Sequence, residues 1–375
     1  MIRALRPLFI KEFRQIRRDP ISLAMLLVLP VVLIVMVGYA LNFDVKHVPL
    51  AILDEDRSPA SRALLERFTH SEYFSHRRTV TSYREIDRLF TDGLAKIAVV
   101  VPSQFGEELL AGRDVCVQIL VDGSDANTAG QATQNAVRMT AEYSNRITAS
   151  ALWKKGSTFA APLDLEPRIW YNPDLLTSHF LIPGLIGFII VLTAVISTSL
   201  TVVREKERGT MEQIMVSPLR PIQMILGKTI PYLMISLVAA TGILLIGYLL
   251  FDVEVRGSLL LLYAGITAIV LGGLGQGLLI SSLTDSQQVA FMVSVFSSLL
   301  PSFLLSGFVF PVANMPVVLQ VLSNLAVNKF FLILVRGVML KGAGLSAVWE
   351  QLVYMLIFAA VTLGIATRRM QKRTL

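Results

Sequence analysis

Residues 203–228, VREKERGTMEQIMVSPLRPIQMILGK, set eight ionisable side chains between two runs, Phe180–Val203 and Thr229–Phe251, that contain no charge at all. Each run is long enough to cross the hydrocarbon layer, which is about 30 Å thick and takes about 20 helical residues. A charged stretch between two such runs is a turn at a membrane surface, and the rest of the fold follows from finding the other runs. Ile21–Leu41, Ser258–Leu283 and Val289–Phe310 are also uncharged, and Leu352–Ala366 is a shorter sixth run with polar flanks. The chain is 54% hydrophobic and 16% charged, against about 25% charged in soluble domains. The expected fold class is a polytopic α-helical membrane protein with six transmembrane helices and an inserted extracytoplasmic α/β domain.

Basic residues orient the spans, because short cytoplasmic loops carry the excess of Lys and Arg. They crowd the N-terminus (Arg3, Arg6, Lys11, Arg14, Arg17, Arg18), the quoted stretch (Arg204, Lys206, Arg208, Arg220, Lys228) and the C-terminal tail (Arg368, Arg369, Lys372, Arg373). The other side has only Arg256, Lys329, Arg336 and Lys341 in its short loops. Six spans with both termini cytoplasmic satisfy this pattern. Topology thus accounts for the net charge of +7, and no nucleic-acid partner is needed. The first apolar run is too long for the core of a cleavable signal peptide, and no small-residue cleavage pattern follows it.

Residues 1–20 read as a cytoplasmic amphipathic helix: Leu5, Phe9, Phe13 and Ile16 share one face and arginines fill the other, an arrangement that lies in the headgroup layer of a bilayer. The first span covers 21–41. Residues 42–175 differ in character, with 15 basic and 18 acidic residues. Within them VPLAILD (48–54), YFSHRRTV (73–80), KIAVVV (96–101), VCVQILVD (115–122) and LEPRIWYN (165–172) read as strands. They alternate with helical stretches at 59–70, 82–93, 103–112 and 125–155, as an extracytoplasmic α/β domain would. Cys116 falls in an apolar strand and reads as a small core residue; a single cysteine cannot form an intrachain disulfide. Residues 176–375 hold the other five spans, and Gly273 and Gly277 offer the fourth a small-residue packing face. No Asp, Glu, Lys or Arg is expected to be buried within the spans, which disfavours an ion-coupled carrier.

The quoted stretch has its own grammar. The second span's helix can run on through REKER to Gly209, a usual helix-ending residue. Thr210-Met-Glu-Gln213 then fits a capping box, and Ser217-Pro218 stops the new helix after one or two turns. A plain connection between helices needs only about 2–8 residues. A capped helix just below the membrane is shaped to dock a cytoplasmic partner.

These residues resemble the segment after the second span in ATP-binding-cassette (ABC) exporter permeases of the type-2 class. The likeness rests on Arg204, Glu205, Glu207, Gly209, Thr210, Glu212, Gln213, Ser217, Pro218, Gly227 and Lys228. A second match is SGFVFPVANMP (306–316), followed by Arg336-Gly337, which is similar to the family's segment that dips back into the membrane before the last span. The resemblance implies that 204–218 is a coupling element seated in a separate ATPase, with Glu205, Glu207 and Glu212 meeting basic groups of that subunit. It also implies two ATPase subunits carrying ATP and Mg, a second permease copy or close paralogue, and a periplasmic adaptor. Residues 311–337 would be a re-entrant segment bordering an exit path, with Phe310, Pro311, Asn314, Pro316, Gln320, Asn324, Asn328 and Arg336 along it. Gln320, Asn324 and Asn328 recur every four residues and would share one helical face; an amphipathic helix flat on the outer surface would show the same spacing.

Gly227-Lys228-Thr229 is not a phosphate-binding loop, since Ile222 stands where the first glycine of G-x-x-x-x-G-K-[ST] is required. The chain is therefore expected to bind no cofactor and to catalyse no reaction. The four histidines show no ligand spacing, Asp54-Glu55-Asp56 lies in a turn, and Asp122–Asn127 lacks the glycine and glutamate of a calcium loop. The functional expectation is a permease subunit of an ATP-driven exporter of a small molecule or lipid-like substrate. Its rivals are a sensor or scaffold that transports nothing, or a stand-alone secondary carrier.

Overall fold

The computed structural model describes residues 2–40, 46–154, 170–172, 177–210 and 221–372. The chain divides into two compact units, Met1–Asn42 with Arg168–Leu375, and Phe43–Pro167.

In the smaller unit, strands β1 (Val48–Asp54), β2 (Phe74–Val80), β3 (Ile97–Val101) and β4 (Gln118–Val121) form one sheet in the order β2-β1-β3-β4. β1 is parallel to β2 and β3, and β4 runs antiparallel to β3. The parallel pairs require crossovers, supplied by α3 (Pro59–Thr69) and α4 (Tyr83–Thr91). Side chains alternate across the pleat: Leu50, Ile52, Ile97 and Val99 face one core with Phe68, while Ala51, Leu53, Ala98 and Val100 face a second core with Ile86 and Leu89. Helices on both faces explain why β1 and β3 are apolar throughout. Ser58 caps α3 by accepting the Ser61 amide at 3.1 Å, with Pro59 at the first helical position. α5 (Phe105–Leu110) and the long α6 (Ala126–Lys154) complete the unit. Asp125 holds the start of α6 through the Asn127 amide at 3.1 Å and the Thr128 hydroxyl at 2.5 Å.

Two strand readings need correction. β4 begins only at Gln118, and Cys116, expected in a core, is exposed on the irregular chain before it. With β4 at the sheet edge, the apolar residues ahead of it have no second neighbour to order them. Most of 165–172 lies outside the described residues.

The larger unit contains α1 (Ile2–Arg18), α2 (Pro20–Ala40), α7 (Thr177–Glu207), α8 (Pro221–Phe251), α9 (Leu259–Leu283), α10 (Gln287–Leu300), α11 (Val317–Leu322), α12 (Val327–Lys341) and α13 (Leu345–Lys372). Among the described residues six helices are long and apolar enough to cross a bilayer, or seven if the bent pair α11–α12 counts as one span: α2, α7, α8, α9, α10 with the π-turn Pro301–Leu305 that extends it, and α13. α7 and α9 form the centre, with 72% and 61% of their spanning residues buried against 22% in α2, α10 and α13. α9 meets α7 closely because of its glycines: a methyl on Gly277 would lie 2.6 Å from the Val195 carbonyl oxygen. The last span, α13, is much longer than the uncharged run 352–366 because its ends are polar turns of the same helix.

Candidate functional site: a charged hub and a bent segment

Consecutive residues of an α-helix point about 100° apart, so four in a row sweep the whole circumference. At the end of α7 this sends Arg204, Glu205, Lys206 and Glu207 to different elements. Arg204 Nη1 donates to Asp19 Oδ2 at 2.5 Å, at the junction of α1 and α2. Lys206 Nζ donates to the carbonyls of Ser281 and of Thr284 (2.9 Å), where its charge meets the negative end of α9. Glu207 accepts the backbone amide of Gln287 at 2.8 Å and also its side-chain amide, an anion at the start of α10.

Glu205 makes the most enclosed contacts. Lys228 Nζ of α8 reaches Glu205 Oε2 at 2.6 Å and Glu12 Oε1 of α1 at 3.0 Å; Lys11 Nζ bridges the same two carboxylates at 2.6 and 3.0 Å. Glu12 is 0% exposed and Lys228 2%. Burial lowers the affinity of the Lys11 amine for its proton, but the Glu205 hydrogen bond and the two carboxylates outweigh it and hold the ammonium above its ordinary range. Two cations and two anions balance, as charges withdrawn from water must.

This overturns two expectations. Charge is buried at the membrane end of α8, because Lys228 lies two turns inside a helix that starts at Pro221. Glu205 does not face outward to a partner's basic groups, and Glu207 is occupied by Gln287. Glu12 and Lys228 were missed as a pair. The available signal was Glu12 itself, the one acid of a basic helix, in line with Phe9 and Ile16 on the face that packs inward.

Beyond the hub, Gly209 takes φ +68°, the left-handed conformation glycine adopts cheaply. Its amide donates to Lys206 O at 3.0 Å and ends α7. The Thr210 hydroxyl donates to Glu205 O at 3.2 Å, tying it to α7. Glu212, Gln213 and Pro218, and with them the short helix expected there, lie outside the described residues.

The segment after α10 does not continue as one helix. Gly307 has φ +82°, and Phe308 turns inward to 0% exposure against α7. Phe310, Pro311, Asn314 and Pro316 are exposed. α11, with a 3-10 turn to Leu325, and α12 then meet at 84°. That bend corrects the shared face of Gln320, Asn324 and Asn328. Gln320 Nε2 and Asn324 Nδ2 donate to nearby backbone carbonyls, at 2.8 Å to Met315 O and 3.2 Å to Val321 O. Asn328, past the break, is 1% exposed against α7, and neither of its amide atoms finds a hydrogen-bond partner among the described residues. Gly187 makes this approach possible, since a methyl there would lie 2.4 Å from the Phe331 ring and 2.5 Å from Asn328 Oδ1. Arg336 stacks on Phe180 with its guanidinium carbon 4.0 Å from the ring centre, and donates to Phe180 O at 3.2 Å.

Six candidate spans among the described residues, a charged junction joining α7 to five other helices and a bent helix pair before the last span are those of a polytopic membrane protein. The chain belongs to the family described as ABC-2 family transporter protein, whose match covers residues 20–368. It is similar to the probable multidrug ABC transporter permease YbhR of Escherichia coli, 34% identical over 97% of this chain and 96% of that one. The probable multidrug ABC transporter permease YbhS of the same organism is 32% identical over 99% and 97%. ABC transporter G family member 20 of Dictyostelium discoideum is 22% identical over 97% of this chain but only 50% of its own length.

Proposed function

We propose that this chain is the membrane-spanning permease subunit of an ATP-driven exporter in the bacterial inner membrane, paired with a second permease and driven by two ATPase subunits that carry ATP and Mg. The observation that supports this reading is the hub: Arg204–Glu207 join α1, the start of α2, α8, α9 and α10, immediately before the segment that runs from α7 to α8. Force applied to that segment by a partner is passed at once to five helices, which is what switching a bundle between two packed states needs. The cytoplasmic placement of both termini follows from the basic residues around the hub. A small-molecule or lipid-like substrate suits the largely apolar spans, and the two E. coli relatives are named as probable multidrug permeases. The bent pair α11–α12 would border the exit, and the α/β unit would stand outside the membrane.

Glu212→Lys tests the coupling. Co-purification of the ATPase subunits and export should both fall, while membrane insertion and the unfolding midpoint stay unchanged. Undiminished export by that variant, or ATP hydrolysis by the purified permease alone, would refute the reading.

A further inference from the structure

Beside the hub lies a cavity of about 930 Å³ between α1, α7 and the starts of α2 and α10. Five of its lining residues are basic: Lys11, Arg14 and Arg18 from α1, and Arg204 and Arg208 from α7. Among the described residues the lining holds one carboxylate, Asp19, which is paired with Arg204. Arg14, Arg18 and Arg208 form no ion pair among the described residues. The cavity therefore presents an excess of positive charge in a concave setting, where a bound anion is screened less by salt than on an open surface.

What continues from this cavity identifies the anion. Pro20 lines its floor and also begins an apolar groove of about 500 Å³ along α2, made by Ala24, Met25, Val28, Leu29 and Val32. Met25 and Val28 are 46% and 56% exposed. From Pro20 to Val32 the helix rises about 18 Å at 1.5 Å per residue, a little over half of the about 30 Å hydrocarbon layer. A basic cup at the membrane surface, opening into an apolar groove one leaflet deep, has the two-part chemistry of a phospholipid.

We infer that the cavity and the α2 groove bind one anionic phospholipid, its phosphate among Arg14, Arg18 and Arg208 and an acyl chain along Met25–Val32. The lipid would brace α1 against α7 beside the Glu12–Lys228–Glu205 cluster, whose Lys11 lines the same cavity. This holds whatever the permease carries.

The test is native mass spectrometry of the full chain released from nanodiscs of phosphatidylcholine with or without phosphatidylglycerol. The parent should retain phosphatidylglycerol in preference to phosphatidylcholine. Arg14→Gln with Arg18→Gln should lower that retention about 25-fold, about fivefold for each surface-proximal cation lost. Arg17→Gln removes the same charge from α1, but Arg17 lines a different groove with Phe13 and Leu23; its retention should not change. Val28→Trp should weaken binding by filling the groove with the charges intact, and Arg208→Gln tests the cup from α7 should the double variant not fold. Equal retention by these variants and the parent, or an equal loss in Arg17→Gln, would overturn the proposal. So would displacement of the lipid by inorganic phosphate at matching concentration, or a disulfide between two copies through Val28→Cys, which would put protein in the groove.

Discussion

The two units of this chain share an apolar core and differ in what they expose and in which polar groups they bury. In the α/β unit apolar side chains go inside, with Leu50, Phe68 and Ile97 fully enclosed, while Arg77 and Arg78 of β2 stay exposed. In the helical unit Leu249 and Phe296 are 63% and 59% exposed, while Lys228, Glu12, Glu205 and the serines at 294, 298, 302 and 306 are buried. The solvent makes the difference. Water drives apolar surface inward, whereas lipid is as apolar as leucine and leaves polar groups as the ones that must find protein. Apolar residues therefore mark the core in the α/β unit, whereas in the helical unit they form both the core and the outer surface.

Breaking the buried charge cluster should have the largest effect. Lys228→Ala leaves two carboxylates enclosed with only the half-exposed Lys11 to balance them, and should cost about 3–5 kcal/mol. The measurement is the thermal unfolding midpoint of the full chain in detergent. Lys228→Met combined with Glu12→Gln and Glu205→Gln should recover most of the loss. A single variant as stable as the parent would mean that the charges are not held out of water.

Gly187→Ala should come next. Its methyl would clash with the Phe331 ring and Asn328 at once, an overpacking worth about 1–3 kcal/mol. Destabilisation should be accompanied by faster hydrogen exchange in α12, because that helix has to move away from α7. Unchanged exchange there would show that α12 yields without cost.

The smallest effect belongs to the exposed counterpart of the cluster. Lys96 donates to Asp122 Oδ2 at 2.5 Å, and with the Ser124 amide it holds the carboxyl down at about 2. The folded value lies below the unfolded one, so the stabilisation is complete above the ordinary carboxylate range and disappears as pH falls from about 4 to about 2. An acid titration of the α/β unit's near-ultraviolet signal in the full chain should show this contribution vanish in Asp122→Asn. An acid midpoint identical to the parent's would remove the pair from the account.

Much of the α/β unit was legible because its signals are local. The apolar run Val48–Leu53, the all-apolar Ile97–Val101 and the Ser58-Pro59 start of α3 each state their own structure. Cys116 was misread because an apolar run does not reveal whether a second strand will lie beside it. The bend at Ala326 was hidden for a related reason: Asn324-Leu-Ala-Val-Asn328 contains neither glycine nor proline, and continuous helical spacing was the natural reading. The hub was visible as a place, through the charges of REKE, but not as a set of partners. Glu12 and Lys228 are 216 residues apart, and nothing in either neighbourhood names the other.

Six apolar runs, the inserted α/β unit and the charged junction could be placed from residue order alone, because each depends on composition within a window the length of one element. Which charges face each other, which glycine receives Asn328 and Phe331, and where the helix before the last span breaks emerged only from the packing. Those features depend on neighbours brought together by packing, and helical periodicity specifies a face without specifying what will cover it.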